Sequence, residues 1–303
     1  MRIFCRLIGG VLLLALQAAA LGVQPPGFIQ PQTVLDIWQG PAPGSQGWTR
    51  AESAVDLDRG GVLVTNVRKP ELLVYTAAPE RRKGAAAVIL PGGALRALVL
   101  DEELTSLVSW LTRHGVAVFI LKYRTLQVDP AAANHTSAPP PTHLVIRNGN
   151  ANPIPDDVQA NEVLRFAIAD TQNALRIVRG NASRWQLDPQ RVGLIGVSAG
   201  GGVAIGTVLQ DEPGASANFL VSIYGPSLMD VRVPENAPPL FIVTEANHGP
   251  VTEGLLALFS LWREAGRAVE LHVFDVPAFK MTLDMWSQRF DVWMQQRVLV
   301  PAR

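Results

Sequence analysis

The chain has 303 residues, of which 48% are hydrophobic and 17% charged, enough to bury one large core and too apolar for a disordered chain. Its 26 basic side chains balance 26 acidic ones, so the net charge is zero and nothing in it points to nucleic acid or an anionic membrane surface. Cys5 is the only cysteine, which excludes a fold stapled by internal disulfides.

The chain opens with "MRIFCRLIGGVLLLALQAAALG", in which Arg2 and Arg6 precede an apolar run and then a run of alanines. That order is the order of a secretory signal peptide at 1–20, with cleavage after Ala20 and Cys5 lost with it. An uncleaved membrane anchor is the competing reading, and the apolar stretch is short for a full span. The expected destination is the periplasm or the outside of the cell, with no stable membrane span after cleavage. Residues 21–60 are rich in Pro, Gly and Gln without sustained periodicity, which predicts an irregular segment lying along the surface.

From there to 303 the pattern is that of one domain. "GVLVTNV" and "ELLVYTA", separated by "RKP", read as an antiparallel pair of short strands. The runs at 85–90, 116–123, 192–197, 219–224, 240–244 and 269–274 are short, continuous and rich in Val, Ile and Phe, as strands buried on both faces are. Helical patterns lie between them at 102–113, 158–179, 200–210 and 254–265, with a last one at 283–298. Alternating strands and helices predict an α/β fold with a mainly parallel sheet covered on both faces. Residues 128–156, dense in Pro, Ala and Asn, interrupt the rhythm and read either as a lid over the strand ends or as a disordered insertion.

"GLIGVSAGGG" places Ser198 between Gly196 and Gly200, after a strand and before a helix. In that context the G-x-S-x-G pattern predicts a sharp turn that pushes a serine hydroxyl into a cleft, with glycines where backbones approach closely. Upstream, "VILPGGALRAL" ends a strand in a Pro-Gly-Gly turn. Amides there, from Gly93 and Ala94 together with that of Ala199, are candidate donors to a carbonyl oxygen that becomes negative in a transition state.

These stretches resemble the acetylesterase and feruloyl-esterase-like branch of the α/β-hydrolase superfamily. "IWQGPAPG", "VTNVRKPELLVY", "VILPGGALRAL", "LKYR", "DTQNALRIVR" and "LDPQRVGLIGVSAGG" occur in that branch's order and cover most of the chain after residue 20. The resemblance implies the α/β-hydrolase fold, a serine nucleophile at Ser198 and, as ligand, a small-molecule or saccharide ester; it implies no cofactor and no metal.

The same resemblance shows what is missing. After the last strand the branch carries its catalytic histidine within a glycine-rich loop, whereas this chain reads "ELHVFDVPAFKMTL" and puts Phe279 at the base position. His272 matches an earlier histidine of that text and reads as a structural strand residue. In the acid loop, "TEANHGPVTEG" puts Asn247 or His248 near the usual aspartate, with Glu245 the nearest carboxylate. Ala94 replaces a third glycine and disfavours positive φ in the oxyanion turn. Loss of the base from a serine hydrolase costs on the order of a million-fold in turnover, leaving about 10³ to 10⁴ over water. The expectation is therefore a degenerate site with weak or no ester hydrolysis.

Two rivals stand beside it. One is an active esterase in which His248, oriented by Glu245, replaces the base; the other is a non-catalytic scaffold that binds a saccharide or a protein. Of the other histidines, His114 reads as a helix C-terminus, His135 and His143 lie in the insertion, and no metal-ligand spacing emerges. Asn134 and Asn181 begin glycosylation sequons. Trp286, Phe290 and Trp293 recur at helical spacing and are expected against the sheet, while Trp38 and Trp48 are expected as exposed aromatic surface.

Overall fold

A computed structural model describes residues 28–57, 60–130, 144–153 and 155–299. The signal-peptide reading, His135, His143 and Asn134 lie outside those residues. The expected α/β architecture is present. An eight-stranded sheet runs in the order β1-β4-β7-β5-β8-β9-β10-β11. Its strands are β1 (Thr33–Asp36), β4 (Glu71–Tyr75), β7 (Ala117–Lys122), β5 (Ala86–Leu90), β8 (Val192–Val197), β9 (Leu220–Ile223), β10 (Leu240–Glu245) and β11 (Val269–Phe274). The β1–β4 and β4–β7 pairs are antiparallel and every other pair is parallel. All residues of β5, β7, β9 and β10 are buried, as continuous apolar runs require of strands covered on both faces.

The helices are α1 (Glu102–Arg113), α2 (Val158–Gly180), α3 (Ala182–Trp185), α4 (Ala199–Leu209), α5 (Pro250–Glu264) and α6 (Leu283–Arg297). Helix α1 shows how local sequence fixes an element. Asp101 caps it by accepting the Leu104 N–H at 3.1 Å, and Leu104, Leu107, Val108 and Leu111 form its buried stripe. It stops at His114 and Gly115, whose φ of 85° a side chain would strain, and whose Cβ would fall 2.0 Å from the Arg81 carbonyl oxygen. Helix α1 packs on β7 and α6, while α2 packs on α4 and β8. Trp286, Phe290 and Trp293 of α6 are buried, and all three pack at tilted angles around Phe241 of β10, as their spacing predicts.

Two expectations need correction. The strands at "GVLVTNV" and "ELLVYTA" do not pair with each other. β3 (Val62–Thr65) forms a separate antiparallel sheet with β2 (Ser53–Asp56) and β6 (Ala97–Leu100), while β4 joins the main sheet. Asn66, at φ 57°, and Val67 turn the chain away, and both are held by the segment after β7: Val128 N–H donates to Asn66 Oδ1, and Val67 N–H donates to Thr125 Oγ1. The segment before residue 60 is not wholly irregular either, since it contributes β1 and β2.

Trp38 and Trp48 are half-buried rather than exposed. Trp38 Nε1 donates to Asp170 Oδ1 at 2.8 Å, and Asp170 also takes a paired contact from the buried Arg124 guanidinium, at 2.8 and 2.9 Å. Trp48 meets Phe166 edge to face at 5.8 Å. The N-terminal segment is thereby fastened to the Arg124–Asp170 ion pair by hydrogen bonds, from Trp38 to Asp170 and from Arg124 to the Pro43 carbonyl, which the composition of the segment does not reveal. Of the insertion, residues 144–153 are tied to the loop after β9: Asn148 and Asn150 donate to Asp230, and Ala151 N–H donates to the Ser227 carbonyl.

Candidate active site

Ser198 links β8 to α4 with φ 51° and ψ −125°, a conformation that ordinary residues avoid. The strain is held from both sides, by Ser198 N–H donating to the Ile223 carbonyl at 2.9 Å and Gly201 N–H to the Ser198 carbonyl at 2.8 Å. Glycines allow the turn because nothing else fits. A Cβ at Gly196 would fall 2.4 Å from the Gly200 carbonyl oxygen, and one at Gly200 would fall 2.1 Å from that of Leu90. The G-x-S-x-G spacing thus forms the sharp strand-to-helix turn it predicts.

The Pro-Gly-Gly turn after β5 packs directly on this serine, since a Cβ at Gly92 would stand 3.0 Å from Ser198 Cβ and 3.7 Å from its Oγ. Gly93 has φ 134°, and its carbonyl accepts the N–H groups of Arg96 and Ala97. Ala94 and Leu95 follow at φ 54° and 60°. Ala94 therefore takes the left-handed conformation that its Cβ disfavours. Among the described residues no backbone hydrogen bond takes up the N–H of Gly93, Ala94 or Ala199, and Ala199 is the first residue of α4, where the helix offers no acceptor.

A cavity of about 320 Å³ opens over the serine. Gly92, Gly93, Ala94, Ser198 and Phe279 all line it, whereas Ala199, Glu245, Asn247 and His248 are not part of its wall. Leu104, Leu107, Ile223, Met281 and Trp286 give it an apolar wall, and Arg96, Asp101, Glu103 and Tyr224 supply its other polar groups. Tyr224 donates to Glu103 at 3.4 Å, and burial, helped by the carboxylates of Glu103, Asp101 and Glu245, holds its hydroxyl far above the usual phenol range.

Phe279 sits at φ 61° in a turn closed by Lys280 N–H to the Pro277 carbonyl at 3.1 Å. Its ring is 60% exposed, so it forms part of the cavity mouth rather than of the core. Its N–H donates to Glu245 Oε1 at 3.1 Å. The other oxygen, Glu245 Oε2, lies 3.0 Å from His248 Nδ1. Burial pushes the Glu245 carboxyl up, but the hydrogen bond from His248 and the backbone bonds more than offset it, and the group lies below the usual carboxylate range.

Asn247 does not hold the place expected of an acid. Its amide faces the exposed Asp275 at 3.5 Å, and the carboxylate that reaches the base loop is that of Glu245. The reason is register: β10 runs one residue beyond the apolar run, so Glu245 is still paired, with Phe274, and fully buried. His248 lies against Phe279 at 4.6 Å and Tyr224 at 5.9 Å between ring centres and is not part of the cavity wall. His272 meets Glu270 at 2.7 Å, and His114 Nδ1 meets the Trp110 carbonyl at 2.8 Å. Among the described residues no hydrogen bond joins any of these three histidines to Ser198. Among the described residues no group of His, Cys, Asp and Glu could hold a metal ion, and no helix is long and apolar enough to cross a membrane.

The BD-FAE family model matches residues 158–222, from the start of α2 through Ser198 into β9. An acetylxylan esterase of Xylanibacter ruminicola is 27% identical over 155 residues, 51% of this chain and 25% of that protein, so the match spans about a quarter of the relative's length. Among solved structures, an acetyl ester-xyloside bifunctional hydrolase of Caldicellulosiruptor lactoaceticus superposes with a TM-score of 0.61 at 16% identity, covering 91% of this chain and 100% of that one. The carboxylesterase Cest-2923 of Lactobacillus plantarum gives 0.57 at 14% identity over 84% of this chain and 100% of its own.

Proposed function

We propose that this chain, which has the α/β-hydrolase fold and resembles esterases, binds a small-molecule or saccharide ester in its cleft while hydrolysing it weakly or not at all. The observation that supports this reading is at Phe279, which the resemblance puts at the base position and whose N–H donates to the Glu245 carboxylate. Ser198, with no base to take its proton, is a poor nucleophile. The free amides of Gly93, Ala94 and Ala199 still offer an oxyanion hole, which supports binding of a polarised carbonyl and a residual rate. Ancestry in carboxylic-ester hydrolysis and loss of the base are both parts of the proposal. So is export to the periplasm or beyond, which N-terminal sequencing of the protein isolated from cells checks.

The deciding experiment is p-nitrophenyl acetate hydrolysis by the purified chain against a Ser198→Ala control. Rates near that control are expected. A ratio above about a hundred-fold defeats the reading, since general-base help is worth about 10² to 10⁴.

One observation favours a second reading, the Glu245–His248 pair, which already has the carboxylate and imidazole of a triad at 3.0 Å. For it to serve Ser198, the His248 ring would have to reach the cavity, whose wall includes Phe279 and Tyr224, the rings it packs against, but not His248 itself. Rapid labelling of Ser198 by a fluorophosphonate, lost in His248→Ala, would establish this reading.

A further inference from the structure

The wall of the cavity contains one charged side chain whose bonding is incomplete. Arg96 follows the Pro-Gly-Gly turn and lines the cavity with Gly92, Gly93 and Ser198. Its backbone has no freedom to withdraw. Arg96 N–H and Ala97 N–H donate to the Gly93 carbonyl at 2.9 and 3.0 Å, and Leu126 N–H donates to the Leu95 carbonyl at 2.7 Å. Yet its Nε–H is shut off from solvent and has no hydrogen-bond partner. An N–H that has given up water without gaining an acceptor is unfavourable, and buried groups of this kind are rare enough to need a reason.

The carboxylates on the same wall are bonded elsewhere. Asp101 caps α1 through the Leu104 N–H at 3.1 Å, and Glu103, exposed at the rim, accepts from the Tyr224 hydroxyl at 3.4 Å. An Nε–H closed to water is closed to a ligand as well, so a planar carboxylate in the cavity would meet the guanidinium through its two terminal nitrogens, which are not shut off from solvent and make no hydrogen bond among the described residues. We propose that Arg96 selects the ligand of this cleft by taking a carboxylate carried on the ester, so that the preferred ligands are singly charged esters. These are half-esters of a dicarboxylic acid or acyl esters of an acidic sugar. The inference rests on the reading of the cleft as an ester site and narrows its ligand class.

Calorimetric titration of the whole chain tests it without requiring turnover. Monomethyl glutarate is compared with dimethyl glutarate, and an acetylated methyl glucuronide with the same acetylated methyl glucoside. In one of the two pairs the charged ester should bind at least about tenfold more tightly, the scale of one charge-assisted hydrogen bond. The pair that shows the preference tells on which side of the ester bond the carboxylate lies. Raising the salt concentration should shrink the ratio in the unaltered protein, a readout that needs no variant. Arg96→Met should remove the preference, and Arg96→Lys should keep part of it. Equal binding of charged and neutral partners in both pairs, or a preference that survives Arg96→Met, overturns the inference while leaving an ester cleft standing. Failure of all four compounds to bind overturns both.

Discussion

The two halves of the cleft have been treated differently. On the serine side, the β8–α4 turn and the Pro-Gly-Gly turn are packed at backbone contact, with Ser198 strained and three amides free. On the other side, the ends of β10 and β11 are organised around Glu245, which bonds a backbone N–H of Phe279 and the ring of His248. The first half depends on glycines that no side chain can replace. The second depends on side chains, and side chains can change while the strands beneath them stay in place. On the proposed reading, that asymmetry is what lets a chain keep the shape of the serine side while the base side changes.

The largest expected effect tests the rigid half. Gly200→Ala forces a Cβ to 2.1 Å from the Leu90 carbonyl oxygen, a backbone atom of a central strand that cannot swing aside. Overpacking commonly costs 1–3 kcal/mol, and backbone against backbone should bring it to about 3 kcal/mol or more. Chemical denaturation measures it. Lys280→Ala in the base loop is the matched change and should stay within about 0.5 kcal/mol. Similar losses at the two sites would erase the distinction between them.

The next effect is on activity. Phe279→His returns an imidazole to a loop whose backbone N–H is already held by a carboxylate. A well-placed base is worth about 10² to 10⁴, and misplacement by about 1 Å costs about 10². Ester hydrolysis should therefore rise by up to about a hundred-fold over the parent, equivalent to up to about 2.7 kcal/mol of barrier. Asn247→Asp added to it should change the rate less than about twofold, because Asn247 faces Asp275 and not the base loop. No gain in a variant as stable as the parent would mean that the serine side too has been rebuilt.

Legibility in the sequence follows the same division. The central strands and the serine turn were readable because continuous apolar runs and obligatory glycines are local signals. The text after β11 is likewise local, and the proposal that Phe279 stands where the branch has its base rests on it. Glu245 was seen only as the nearest carboxylate, since the sequence does not say that β10 continues one residue past its apolar run. The β3 and β4 strands were paired with each other because they are neighbours in the chain, whereas β3 finds its partner in β6, some thirty residues on. Arg124, Asp170 and Arg96 were missed as sites. The available signal was a lone charge inside an otherwise apolar or turn-forming stretch, as in "GGALRALVL".

Glu245→Gln should have a smaller effect, on stability. The bonds to Phe279 and His248 hold the folded carboxyl below its usual range, so the charged form favours the native state. That contribution is complete above the unfolded carboxyl value of about 4.3 and disappears as pH falls through the lower folded value. Replacement should cost about 1–2 kcal/mol at neutral pH, and the difference from the parent should narrow on acidification below about pH 4. Thermal melts across that range measure both. A gap that stays constant with pH would mean that the side chain acts by shape alone.

The smallest effect is expected at Ala94, the one place where the serine side departs from the glycine-rich pattern. Its φ of 54° puts a Cβ in the left-handed region, at a cost of about 1–2 kcal/mol. Ala94→Gly relieves that strain but gives the unfolded chain more freedom, which costs back about 0.4–1 kcal/mol. The two terms nearly cancel, so the variant should be more stable by about 0.5 kcal/mol, a shift that paired denaturation curves resolve only at matched slopes. Hydrolysis by the Phe279→His protein should move less than about threefold when Ala94→Gly is added, since the positive φ that presents the amide is already adopted with alanine in place. A gain of tenfold or more would show that alanine misdirects the oxyanion turn, and the serine side would then share in the loss now assigned to the base loop alone.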